Sequence, residues 1–140
     1  MAGTGVTVRE HRTHTARVLI VDDDANNRAL VEVMLAPEGY EIVMASSGAE
    51  ALAIIAEQLP DLILLDVMMP GIDGYQVTAR IKADPRTSGV PVIMLTALSD
   101  ANSTWHGLNA GADGYLTKPI KRADLCARVR QFIRRDTESS

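Results

Sequence analysis

Asp61-Leu62-Ile63-Leu64-Leu65-Asp66 is apolar throughout its interior and bracketed by carboxylates. A short unbroken apolar run reads as a strand buried on both faces. Upstream, Ser46, Ser47 and Gly48 open a helix with Ala49, Leu52, Ala53 and Ala56 on one face, stopped by Pro60. Before it come a strand over 41–45 and a helix over 25–36, which carries Asn27, Leu30, Val31, Met34 and Leu35 and ends at Pro37 and Gly39. Arg17-Val18-Leu19-Ile20-Val21 is the first strand. Downstream, the loop Met69-Pro70-Gly71-Ile72-Asp73-Gly74 leads to a helix with Tyr75, Val77 and Ile81, closed by Asp84-Pro85. A strand over 91–96, a helix over 100–110 and a strand over 113–117 follow. The last helix, 121–135, aligns Leu125, Val129, Phe132 and Ile133.

The order is β-α five times over. It predicts an α/β fold: a doubly wound, five-stranded parallel sheet with five helices in three layers. Right-handed crossovers fix the winding. Ligands of such sheets bind outside the carboxyl ends of the strands.

A chain of 140 residues makes one domain. The expected division is a flexible tail over 1–16, the domain over 17–135 and a short tail over 136–140. The single Cys126 excludes an internal disulfide and a multi-cysteine zinc site. The net charge of −4 argues against direct nucleic-acid binding. That charge is unevenly placed: residues 18–117 hold 4 basic and 14 acidic groups, whereas 118–135 hold 7 basic groups against Asp124 alone. Apolar runs fall far short of the roughly 18 residues of a membrane helix. The N-terminus lacks a signal peptide's apolar stretch, so a cytoplasmic location without membrane contact is expected.

The strand ends carry the chemistry. Asp22, Asp23 and Asp24 follow strand one, Asp66 ends strand three, Thr96 ends strand four, and strand five runs into Lys118-Pro119. Carboxylates converging on one rim raise each other's pKa unless a cation neutralises them. Mg2+ suits one or two carboxylates plus waters and leaves room for phosphate oxygens. The set reads as phosphoryl chemistry: Asp66 as nucleophile, metal and lysine for charge, and threonine for a phosphoryl oxygen.

Four motifs in order resemble the receiver domain of two-component response regulators. They are Val18-Leu19-Ile20-Val21-Asp22-Asp23-Asp24, Leu64-Leu65-Asp66-Val67-Met68-Met69-Pro70-Gly71-Ile72-Asp73-Gly74, Pro91-Val92-Ile93-Met94-Leu95-Thr96-Ala97 and Gly111-Ala112-Asp113-Gly114-Tyr115-Leu116-Thr117-Lys118-Pro119. The resemblance covers residues 17–135 and implies a flavodoxin-like strand order of 2-1-3-4-5. It implies that Asp66 accepts a phosphoryl group from a phosphohistidine of a histidine kinase or histidine phosphotransfer protein. Asp22 and Asp23 would hold Mg2+, Asp23 directly and Asp22 through water, together with Asp66 and the backbone carbonyl of Met68. Lys118 would contact the phosphoryl group, and its bond to Pro119 would be cis. Thr96 and Tyr115 would form the switch pair that repacks the surface of helix four, strand five and helix five, where a homodimer could form. Met68 and Leu98 match positions that tune phosphoryl loss; both are apolar, which predicts a long-lived phosphorylated state.

Other residues have plainer readings. Asp24 and Asp73 are expected to cap helices. Trp105, with Ala101 and Leu108, is expected to pack against the sheet, and His106 to face solvent. Cys126 reads as a packing residue. His11 and His14 read as solvated tail. Arg122, Arg128, Arg130, Arg134 and Arg135 form either a solvated face or an interface.

Competing functions fit less well. Aspartate-nucleophile phosphatases carry a second acid two residues after the nucleophile, where this chain has Met68. They also need a cap domain, for which no residues remain. A nucleotide-binding module needs a glycine-rich cradle where the first turn has acids. A degenerate receiver would not keep Asp22, Asp23, Asp66, Thr96 and Lys118 together. Only residues 136–140 follow the last helix, so output is expected through contact or from a longer chain.

Overall fold

In the computed structural model, which describes residues 15–97 and 110–139, five strands form one parallel sheet. They are β1 (Arg17–Val21), β2 (Glu41–Ala45), β3 (Leu62–Asp66), β4 (Val92–Thr96) and β5 (Gly114–Thr117). Their spatial order is β2-β1-β3-β4-β5, as expected. β3 is central and all five of its residues are buried, as its unbroken apolar run requires.

Alternate residues along each strand feed opposite faces. On one face Val18, Ile20, Leu62, Leu64, Ile93 and Leu95 pack with Val31 and Leu35 of α1 (Ala25–Leu35) and with Leu125, Cys126 and Val129 of the C-terminal helix (Arg122–Ser139). On the other, Leu19, Val21, Ile63, Leu65 and Met94 pack with Ala51 and Ile55 of α2 (Gly48–Glu57) and Val77 and Ile81 of α3 (Gly74–Ala83). Each large side chain buried this way contributes about 1.5–3 kcal/mol over leaving it exposed. The result is three layers. The helix expected over 100–110, with Ala101, Trp105, His106 and Leu108, lies almost wholly outside the described residues, as do Leu98, His11 and His14.

The buried face of α2 differs from the expectation. Gly48, Ala51 and Ile55 are buried, Leu52 is half-buried, and Ala49, Ala53 and Ala56 are exposed. Exposing alanine forfeits little apolar burial, so the helix turns to bury the larger Ile55. Gly48 lies where another side chain would not fit: a Cβ there would come within 2.6 Å of Ile72 and 2.7 Å of Val77. On α1, Val31 and Leu35 are buried but Leu30 is 53% exposed.

The caps match the reading. The Asp24 carboxylate accepts the Asn26 and Asn27 amides at 2.8 and 3.4 Å. Asp73 and Gln76 form a reciprocal capping box with both bonds at 2.9 Å. Cys126 is buried, as its packing role requires. The C-terminal helix runs on to Ser139, beyond the expected end at 135. Among the described residues no helix is long and apolar enough to cross a membrane.

Candidate functional site

Parallel register brings the acids together. β1 and β2 both lie beside one another, with β1 also against β3, so the turn after Val21 and the end of β3 meet at one rim. Asp22 is 3% and Asp66 5% exposed, whereas Asp23 is exposed. One carboxylate oxygen from each of the three lies within 4.8 Å of the others. The Asp22 amide donates to Ala45 at 3.2 Å, and the Asp22 carboxylate accepts the Asp24 amide at 2.9 Å.

Lys118 arrives from β5. Its Nζ donates to Asp66 Oδ1 at 2.8 Å and lies 3.6 Å from Asp22 Oδ2. Its backbone amide donates to the Thr96 carbonyl at 2.7 Å, and the Lys118–Pro119 bond is cis. Burial raises the Asp66 carboxyl above its ordinary range. Lys118 pulls it down without cancelling the rise, to which Asp22 and Asp23 add. For Lys118, burial disfavours the charge, but hydrogen bonding and attraction to Asp66, then Asp22, outweigh it and raise the pKa. Three carboxylates against one ammonium leave a negative excess that fits a divalent cation with oxygen ligands.

Thr96 is buried at the end of β4, one residue beyond the Asp66–Leu95 pairing. Tyr115 is half-buried and packs against the core under α2 and α3. Met68 is 68% exposed. The loop after β3 folds back tightly: the Gly74 amide donates to the Val67 carbonyl at 2.9 Å. Any Cβ at Gly74 would fall 2.5 Å from the Asp66 carbonyl oxygen. Glycine is therefore needed at that close approach.

Two features went unread in the sequence. A cleft of about 220 Å³ adjoins the site, lined by Asp22, Asn27, Leu30, Leu95, Lys118 and Ile120 among others. Arg28 donates through Nη1 to the Asp22 carbonyl at 2.5 Å. Its only sequence signal is its place one helical turn after the Asp24 cap. Of the basic residues on the C-terminal helix, Arg130 pairs with Glu38 at 2.8 Å. The side chains of Arg134 and Arg135 lie outside the described residues.

Comparison with known proteins agrees with this geometry. The response regulator receiver domain family matches residues 18–130. The chain is 48% identical over 120 residues to the response regulator PleD of Caulobacter vibrioides, covering 86% of this chain and 26% of that protein. It is 42% identical over 126 residues to the DNA-binding response regulator MtrA of Mycobacterium tuberculosis, covering 90% of this chain and 54% of that one. It thus spans about a quarter to a half of these relatives' length. The receiver domain of sensor histidine kinase PA1611 from Pseudomonas aeruginosa, solved with a magnesium ion coordinated in its active site cleft, superposes with a TM-score of 0.79 at 34% identity. That alignment covers 86% of this chain and 98% of the other. With the family matched from Val18 to Arg130 in the C-terminal helix, and the acids, threonine and lysine gathered at one rim, the chain belongs to the response regulator receiver family of two-component signalling.

Proposed function

We propose that this domain is a phosphorylation-dependent switch in which Asp66 takes a phosphoryl group from the phosphohistidine of a histidine kinase or histidine phosphotransfer protein. The observation that carries the reading is the buried Asp66 carboxylate, 2.8 Å from Lys118 and clustered with Asp22 and Asp23. In the transfer an Asp66 carboxylate oxygen attacks phosphorus. The P–O bond forms as the P–N bond to histidine breaks, and the imidazole leaves with the electron pair.

The three carboxylates fit Mg2+, which Asp22, Asp23, Asp66 and the Met68 backbone carbonyl would hold. When bound, it supplies positive charge against the phosphoryl oxygens. Lys118 keeps a second cation beside Asp66, and the Thr96 hydroxyl would donate to a phosphoryl oxygen. The phosphoryl group brings roughly two negative charges to that rim in place of the single carboxylate charge, a net gain of about one, together with three acceptor oxygens. Thr96 and Tyr115 then repack, and the change reaches β5, the C-terminal helix and the segment between β4 and β5. That surface meets the downstream partner or a second copy of the chain. The role is regulatory, with self-catalysed phosphotransfer and dephosphorylation only.

The test is treatment with acetyl phosphate and Mg2+, followed by measurement of incorporated phosphate and oligomeric mass. Wild type should take up one phosphoryl group per chain and Asp66→Ala none. Equal labelling of the variant, or none of wild type, would overturn the reading. A rise in mass on labelling would assign the output to dimerisation.

A further inference from the structure

The turn between β1 and α1 carries two of the three clustered acids. Arg28, half-buried in α1, donates to the Asp22 carbonyl at 2.5 Å. That carbonyl belongs to the peptide joining Asp22 to Asp23, so the guanidinium is bonded to the main chain between the two acids. Arg28 is itself near a second turn: its charge helps hold the Glu50 carboxyl below the ordinary range, after the larger effect of the Ser46 amide and hydroxyl. Glu50 accepts from both Ser46 groups, at 2.5 and 2.9 Å. Ala45, just before Ser46, accepts the Asp22 amide. The arginine is thus bonded to the β1–α1 turn, and the Asp22 amide ties that turn to the end of β2.

We propose that Arg28 is a positioning residue for Mg2+, acting through the Asp22–Asp23 peptide to keep both carboxylates converged on Asp66. The inference rests on reading the three acids as a Mg2+ site. Converged like charges repel, and Asp23 is exposed and has solvent to move into. A charge-assisted bond to the main chain opposes that movement. Groups that orient metal ligands in this way are typically worth about tenfold or more in affinity. As a nearby cation, Arg28 also repels Mg2+. Its positioning and its charge therefore act in opposite directions, and a variant shows which prevails.

The experiment is calorimetric Mg2+ titration of the whole chain at low and high ionic strength, with no phosphodonor. The variants are Arg28→Ala, Arg28→Lys and, as a stability control, Leu35→Ala at the far end of α1. Both Arg28 variants should bind about tenfold more weakly than wild type, by a ratio that salt does not change. Lysine keeps the charge but is shorter and lacks the rigid guanidinium that sets the direction of the Nη1 bond, and Arg28→Lys carries the test alone if Arg28→Ala does not fold. Leu35→Ala should lower Tm and leave Kd unchanged. Wild-type affinity in Arg28→Lys, or tighter binding by Arg28→Ala, would overturn the inference. Failure of wild type to bind Mg2+ would instead overturn the site reading beneath it.

Discussion

Replacing Gly74 with alanine tests whether the fold positions the acceptor as described. The added Cβ would lie 2.5 Å from the Asp66 carbonyl oxygen, 2.9 Å from Val67 Cα and 2.9 Å from Met94 Cε. The methionine tip can swing aside, but the other two atoms are main chain. They lie at and just after the end of β3, where Asp66 is paired with Leu95 and the Val67 amide donates to the Leu95 carbonyl at 3.2 Å, so they cannot slide away. The loop must therefore move by about 0.5 Å to reach even a 3.0 Å contact. Overpacking of this kind costs roughly 1–3 kcal/mol, and rigid neighbours put it near the upper end. Restricting the unfolded chain returns about 0.4–1 kcal/mol. The net loss is about 2 kcal/mol, or roughly 6–8 °C in Tm for a domain of this size. The displaced atoms flank Asp66, so acetyl phosphate labelling should also slow by about 10- to 100-fold. Gly89→Ala is the control, since its Cβ meets nothing within 4 Å. Thermal melts and labelling rates decide the matter. A Gly74→Ala protein with wild-type Tm and labelling would refute the close approach and its role in placing Asp66.

Asp66→Asn should raise Tm at neutral pH in metal-free buffer. The folded pKa of Asp66 lies above its ordinary 3.8, so its contribution to stability is full below that value and is lost as pH rises through the folded pKa. Melts at a series of pH values should show the variant's advantage vanish below about pH 3.8. Asp73→Ala removes one half of the α3 capping box and should cost about 1 kcal/mol in a urea melt; an unchanged midpoint would contradict the cap. Lys118→Ala removes the ammonium between Asp66 and Asp22 and should cut labelling by at least an order of magnitude, roughly the worth of one electrostatic donor at a reacting centre. Met68→Asn should shorten the aspartyl-phosphate lifetime several-fold, because an amide in place of the thioether can hold an attacking water. Equal decay in wild type and variant would remove Met68 from that role.

The strand ends were legible because one physical signal marks them: apolar runs that stop at a carboxylate, a hydroxyl or a lysine. The helix caps were legible for a similar reason, since Asp24 and Asp73 stand where an amide needs an acceptor. The face of α2 was not. Residues 48–57 are apolar on nearly every side, so periodicity selects no stripe. The close approach of Ile72 and Val77, distant in sequence, to the space where a Gly48 side chain would stand selects it instead. Leu30 has the right spacing for the core yet borders the cleft beside Lys118. Hydrophobic residues are not obliged to be inside. Arg28 was invisible because arginine on a helix is ordinarily solvated, and its partner is a carbonyl that no sequence pattern reveals.

The sheet order also explains why a lysine stands at 118. Asp22, Asp66 and Thr96 come from the adjacent strands β1, β3 and β4, so short side chains suffice to meet at one rim. β5 lies two strands from β3, about 10 Å away at normal spacing. Only a long side chain from β5 reaches Asp66, and the lysine stem spans the end of β4 to do so. Its backbone amide is meanwhile fixed to the Thr96 carbonyl at 2.7 Å, with Thr117 paired opposite Thr96. The cation that neutralises Asp66 is therefore tied through its main chain to the strand end that carries the hydroxyl. Under the proposed function, a phosphoryl group on Asp66 would give Lys118 and Thr96 a common new partner. The pull would reach β4 and β5 together, two residues from the half-buried ring of Tyr115. A change confined to one carboxylate could then repack the β5 edge without disturbing the central strands, which are buried on both faces.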